Sequence, residues 1–175
     1  MKRFLFALIM IIATCLCAVA CGYSTKSSLP VHIKTIAVGP FANKIDFQSG
    51  KPNVYVPLLE VRSHDAVINQ FLFDGNLRIA EQNNADLVLN GELIGYERSA
   101  LRFTDNDDVH EYRITITVRL TMLDDQGELM WEEPSFSGED TYFLSGPNAT
   151  SEDAAIEDAI RDLAKRIVAR TVEDW

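Results

Sequence analysis

The chain of 175 residues carries 16 Lys and Arg against 26 Asp and Glu, a formal charge of −10. A protein this acidic is repelled by phosphate backbones, which excludes nucleic acid as a partner. Its three cysteines, Cys15, Cys17 and Cys21, all lie at the N-terminal end, so whatever folds beyond them holds together without a disulfide.

Met1-Lys2-Arg3 is followed by Phe4 to Ala20, 17 residues without a charge, a Gly or a Pro. A basic stretch, an apolar stretch and small residues make up an export signal. The same length reaches the lower limit of a membrane span, roughly 17–25 residues. The junction Ala18-Val19-Ala20-Cys21-Gly22 resembles a lipobox, with Ala18 where Leu is usual. It implies that residues 1–20 are removed and that Cys21, the lipidation site, carries diacylglycerol and acyl chains, with no other cofactor. An uncleaved anchor helix and conventional cleavage are the alternatives. The mature chain would have 155 residues, enough for one core, and loss of Lys2 and Arg3 would take its formal charge to −12. Lipid chains, rather than a basic patch, would then hold it at the membrane.

Residues 22–30, GYSTKSSLP, read as a short tether. Residues 21–32 are therefore taken as lipidated N-terminus and tether, and 33–175 as a single domain. Val31 to Val38 is a strand candidate stopped by Gly39-Pro40, and residues 42–53 are loop-like. Pro57 suits the first turn of a helix running to Phe73, with Val61, Ile68, Phe71 and Leu72 at helical spacing and Asp74-Gly75-Asn76 closing it. Leu77 to Glu81 forms a short strand. A longer one starts at Asp86 and extends toward Phe103, where Gly91 and Gly95 imply bulges or a close neighbour.

Glu111 to Leu123 alternates strictly. Tyr112, Ile114, Ile116, Val118, Leu120 and Met122 form an apolar face, while Arg113, Thr115, Thr117, Arg119 and Thr121 form a polar one. That is the pattern of an antiparallel strand with one buried and one wet face. Asp124-Asp125-Gln126-Gly127 turns the chain into Leu129-Met130-Trp131. The end is a helix from Ser151 to about Asp174, capped by Thr150 or Ser151. Ile156, Ile160, Leu163, Ile167, Val168 and Val172 line one side, and Glu157–Arg161 and Asp162–Arg166 pair on the other. The order β-α-β-β-β-β-α predicts an α+β fold. A mostly antiparallel or mixed sheet of four to five strands carries two helices on one face, a two-layer sandwich with the other face open.

No catalytic constellation and no metal-ligand spacing emerge. His32, His64 and His110 are scattered, no GxSxG elbow is present, and Asp105-Asn106-Asp107-Asp108 lacks the spaced Gly and closing Glu of an EF-hand, so it reads as a hairpin tip. The polar stripe from Arg113 to Thr121 is either a solvated face or a docking face. Arg98 and Arg102, near a hairpin tip, are either solubilising charges or anion contacts.

The succession of Cys21-Gly22-Tyr23, Ile36-Ala37-Val38, Leu77-Arg78-Ile79, Ala85 to Gly91, Glu111-Tyr112-Arg113, Leu129-Met130-Trp131 and the amphipathic C-terminal helix resembles the LPS-assembly lipoprotein family LptE. The resemblance rests on the order and spacing of these patches along nearly the whole mature chain. It implies a non-enzymatic outer-membrane lipoprotein, anchored on the periplasmic side. Such a protein plugs the LptD β-barrel, helps it assemble and contacts lipopolysaccharide on its way to the surface. Arg102 stands where the family places one lipopolysaccharide-contacting basic residue. A second basic position has no counterpart, since residues 137–160 contain no Lys or Arg. The barrel-docking face implied is Arg113, Thr115, Thr117, Arg119 and Thr121. Gly22 after the lipidated cysteine, rather than Asp, agrees with sorting to the outer membrane. Ile36-Ala37-Val38-Gly39-Pro40-Phe41 is also similar to the opening strand of lipoproteins that activate peptidoglycan synthases. Those use long tethers to cross the periplasm, whereas nine residues span only about 15–18 Å.

Overall fold

The computed structural model describes residues 29–46 and 56–173. Residues 1–20, expected to be an export signal, and Cys21 lie outside these residues. Strand β1 (Thr35–Val38) begins later than its apolar run suggests. The Ile33 amide donates to the Pro30 carbonyl at 3.0 Å, so Val31 and His32 lie in a turn rather than a strand. Residues expected to be loop contain a second short strand, β2 (Ala42–Asn43). The Gly39 amide still donates to Leu89, and β2 resumes pairing at Glu92 and Leu93, so Gly39-Pro40 interrupts one edge without ending it. Between the two pieces Phe41 folds onto Gly91, where a Cβ would stand 2.5 Å from its ring. This is the close neighbour that Gly91 signalled.

Helix α1 (Leu59–Asp74) starts two residues after Pro57, which lies outside it. The residue before the helix is Leu58, with a left-handed φ of 55°. Its buried stripe is Leu59, Ser63, Val67 and Phe71, an uninterrupted i,i+4 row. Val61 and Leu72, expected on the inner face, are 46% and 63% exposed. They lie off that row, and a row this narrow is all that α2 and the sheet edge cover. Gly75, with φ 75°, closes the helix by donating its amide to Phe71 at 3.0 Å.

The chain then forms β3 (Arg78–Ile79), a single turn of 3₁₀ helix (Gln82–Asn84), β4 (Leu87–Phe103), β5 (Val109–Asp124), β6 (Leu129–Phe143) and helix α2 (Glu152–Glu173). Strand order is β3-β1-β4-β5-β6, with β2 beside β4. Pairing is parallel around β1 and antiparallel through the three long strands. The expected α+β sandwich therefore stands, with six strands instead of four to five.

Alternation in β5 sorts the faces. Ile114, Ile116, Val118, Leu120 and Met122 are fully buried beneath the helices with Val67 and Phe71 of α1 and Ile160, Leu163 and Ile167 of α2. The Ser151 hydroxyl accepts the Ala154 amide at 3.1 Å and so caps α2. Arg161 pairs with Asp158 rather than Glu157, because Glu157 is held by Arg62 of α1 at 2.7 Å, while Arg166–Asp162 forms at 3.8 Å. At Gly138 of β6 the helix backbone comes close enough that a Cβ would stand 2.4 Å from the Leu163 nitrogen. The opposite face is not bare throughout. Ala37, Ala85 and Val88 form a small apolar cluster with Ala80 and Leu123 at its β1 end.

Candidate docking face

Beyond that cluster the open face is built by three strands in register. Arg113, Thr115, Thr117, Arg119 and Thr121 of β5 form its centre, Arg119 exposed and the others half-buried between neighbouring strands. On β4 they face Ser99, Glu97, Gly95, Glu92 and Asn90, and on β6 Thr141, Glu139, Ser137 and Glu132. Each arginine meets a glutamate. Arg119 bonds Glu92 on β4 at 2.7 Å, and Arg113 approaches Glu139 on β6 at 3.7 Å. Exposed pairs of this kind contribute about 0–1 kcal/mol, so they neutralise the two arginines more than they stabilise the fold. What remains outermost is hydroxyl and carboxylate, with no large apolar side chain among the central rows.

Arg98 and Arg102 do not come together. Strict alternation puts residues four apart on one side of a strand, yet β4 has a register shift between Ala100 and Arg102. An earlier shift, between Leu93 and Gly95, has already turned Tyr96 and Arg98 toward the helices. There Arg98 donates to Glu152, the first residue of α2, at 2.6 Å, and lies 4.9 Å from the Tyr112 ring centre. The hydroxyls of Tyr96 and Tyr142 donate to the same carboxylate at 3.1 and 3.2 Å, and Tyr142 stacks on Tyr112. Burial, followed by the Glu152 charge, pushes both hydroxyls above the usual tyrosine pKa. The hydrogen bond to Glu152 raises the Arg98 pKa further. Arg98 is thus a strut between β4 and α2.

Arg102 is different. Its Nε stands 3.0 Å from a Glu111 carboxylate that is almost fully buried, and its own side chain is 66% exposed, 5.9 Å from the Phe143 ring centre. Glu111 shares its face with Arg113, so Arg102 extends the open face at the hairpin end. The hairpin tip itself is knit locally: the Thr104 amide donates to Asp108 at 2.8 Å and Asp107 has φ 63°. No group of three His, Cys, Asp or Glu suited to a metal occurs among the described residues, and no described helix is long and apolar enough to cross a membrane.

Sequence reasoning missed two sites of structural consequence. One is the Glu152 cluster, whose members are spread over four elements. The other is Asp86, which accepts the Lys34 and Thr35 amides at 2.8 and 2.9 Å and the Thr35 hydroxyl at 2.8 Å, clamping β1 to β4. The Lys34 bond, then that of the Thr35 hydroxyl, holds the Asp86 pKa below its ordinary value.

Comparison with known proteins completes the description. The fold is shared with protein XCC0632 from Xanthomonas campestris at TM-score 0.58 and 14% identity, covering 83% of this chain and 88% of that one. Protein CT253 from Chlamydia trachomatis matches at TM-score 0.53 and 14% identity, covering 79% and 95%. A minor lipoprotein from Acinetobacter baumannii matches at 0.51 and 16%, covering 79% and 91%. Among curated proteins no sequence matches this one. The model of the lipopolysaccharide-assembly family LptE matches residues 33–171, nearly all of the described domain. The chain belongs to the LptE family.

Proposed function

We propose that this protein is an outer-membrane lipoprotein, anchored through Cys21 on the periplasmic side. Its open sheet face docks in the lumen of an LptD-like β-barrel, which it plugs and helps to assemble, and it assists lipopolysaccharide transport without catalysing a reaction. Family membership over residues 33–171 carries the reading. The face supports it physically. A barrel lumen is polar and partly wet, so a plug serves best with hydroxyls and neutralised charges. Arg102, exposed at the end of that face, is the cation placed to meet a phosphorylated glycolipid, while Arg98 is occupied by Glu152.

The test is recovery of the barrel with the tagged lipoprotein from solubilised outer membranes. Arg119→Glu sets two carboxylates against each other beside Glu92, and Thr117→Trp puts bulk in mid-face. Both are expected to lower barrel recovery while the domain stays folded. Full recovery with both variants would refute docking through this face.

A further inference from the structure

We infer that the end of the domain next to the tether seats on a zwitterionic lipid surface through Val31, Leu72, Phe73, Leu129 and Met130. The inference rests on the Cys21 anchor proposed above. Topology gathers these residues at one end of the sheet. β1 and β3 start there side by side, with Thr35 paired to Arg78, and β4 starts where β5 stops, Leu87 opposite Asp124. Leu129 opens β6 at that end, opposite Leu123. Helix α1 finishes there, three residues before Leu77 and β3. Met130 and the His32–Ile33 turn share a cleft of about 340 Å³, with Asp86, Leu87 and Asp124 on its other walls.

Five large apolar side chains at this end face solvent: Val31 92% exposed, Phe73 87%, Leu72 63%, Leu129 58% and Met130 42%. Nothing in the fold requires them there, since Leu77 and Ile33 beside them are buried. Val31 adjoins the cleft that Met130 lines. Leu72 and Phe73 close α1 on the helix side of the same end, Phe73 at the border of the groove between α1 and α2. Exposed apolar groups gathered in this way mark interaction surfaces. The chain outside the domain says which surface. Leu29 packs on the core, so the tether leaves from this end. Seven residues, 22–28, separate Leu29 from Cys21, and these eight steps reach at most about 29 Å and on average about 14–17 Å. An acylated Cys21 therefore keeps this end of the domain within reach of the bilayer boundary. The charges here are mainly acidic: Asp86, Asp124, Asp125, Glu128 and Glu132 against Lys34, Arg78 and His32. Such a rim favours zwitterionic over anionic headgroups, because only apolar side chains gain on contact.

The test uses the full lipidated chain in phosphatidylcholine vesicles containing acyl-chain quenchers. An environment-sensitive fluorophore is placed on Val31→Cys, Phe73→Cys or Leu129→Cys in turn. Phe103→Cys, 59% exposed at the opposite end, is the control. The three probes are expected to lose intensity and shift to shorter wavelength, the control to do neither, and high salt to leave the result unchanged. Labelled fatty acid on Cys21 is scored in the same samples. A lipidated, vesicle-bound chain whose three probes are unquenched overturns the inference alone and assigns the patch to a protein. So does quenching that requires anionic lipid and vanishes in salt. A chain carrying no fatty acid overturns the anchor instead.

Discussion

Gly138→Ala tests where α2 sits. Gly138 pairs with Ile116 and faces the helix, and an added Cβ would stand 2.4 Å from the Leu163 nitrogen, 2.5 Å from its Cβ and 2.6 Å from the Ala159 carbonyl oxygen. Two of these three atoms are backbone, so no side-chain rotation relieves the clash. Ordinary contacts lie near 3.5–4.0 Å, so the middle of α2 has to retreat by roughly 1 Å. Ala159, Ile160, Leu163 and Ala164, all buried in those turns, would lose close packing together. Overpacking of this kind costs about 1–3 kcal/mol, and the backbone contact puts this case at the upper end. For a chain of this size that is a fall in melting temperature of roughly 6–12 °C. Gly95→Ala is the control: its Cβ would meet only Thr117, at 3.4 Å, on the open face. Its expected cost is below about 1 kcal/mol. Urea denaturation followed by circular dichroism measures both. Equal losses, or a neutral Gly138→Ala, would refute the seating of α2 on β6 and with it the one-sided sheet.

Three further outcomes follow from the same geometry. Ile116→Ala should cost about 2–5 kcal/mol and Thr117→Ala far less, by the same denaturation assay, since only Ile116 is walled in. Asp86 has a lower pKa folded than unfolded, so its contribution is present above its ordinary value near 3.8 and is lost as pH falls through the folded value. Asp86→Asn should therefore flatten the acid limb of the stability–pH curve, and an unchanged limb would show the clamp to be idle. Finally, Arg98→Ala should destabilise the domain and couple to Glu152→Gln in a double-mutant cycle by about 0.5–3 kcal/mol. Arg102→Ala should reduce lipopolysaccharide capture by the purified chain, and it should also lower stability because the buried Glu111 carboxylate loses its cation. Capture that falls with Arg98→Ala and not with Arg102→Ala would reverse the roles given to them.

What could be read from the sequence was set by how few neighbours each residue answers to. β5 is paired on both sides and its stretch from Glu111 to Leu123 carries no extra residue, so each side chain belongs to one of two environments and alternation reports both faces. The same holds for α2, whose inner row lies along β6 and α1. Helix α1 misled because the apolar residues Val61, Leu72 and Phe73 stand outside the row that its neighbours cover. The edge strand β2 is held by main-chain bonds to β4, which no side-chain pattern announces. The polar stripe was legible for the same reason as β5. The partners that neutralise it lie on β4 and β6 and required register, and the separation of Arg98 from Arg102 required the bulges.

Those two shifts in β4 work as a pair of phase changes. The first, at Ile94, moves even-numbered positions to the helix side, and the second, at Leu101, moves them back. Only the stretch between them, Gly95 to Ala100, is out of step with the rest of the strand. Deleting Ile94 alone would restore ordinary alternation from Leu93 onward. It would leave Gly95, Glu97 and Ser99 on the open face and Tyr96 and Arg98 toward the helices, whereas an Ile94 drawn into the ladder opposite Thr117 would exchange the two sets. One residue carried as a bulge thus lets a cation hold a helix instead of meeting a partner, and the same side chains with that residue in the ladder would share the architecture while presenting different charges on the open face.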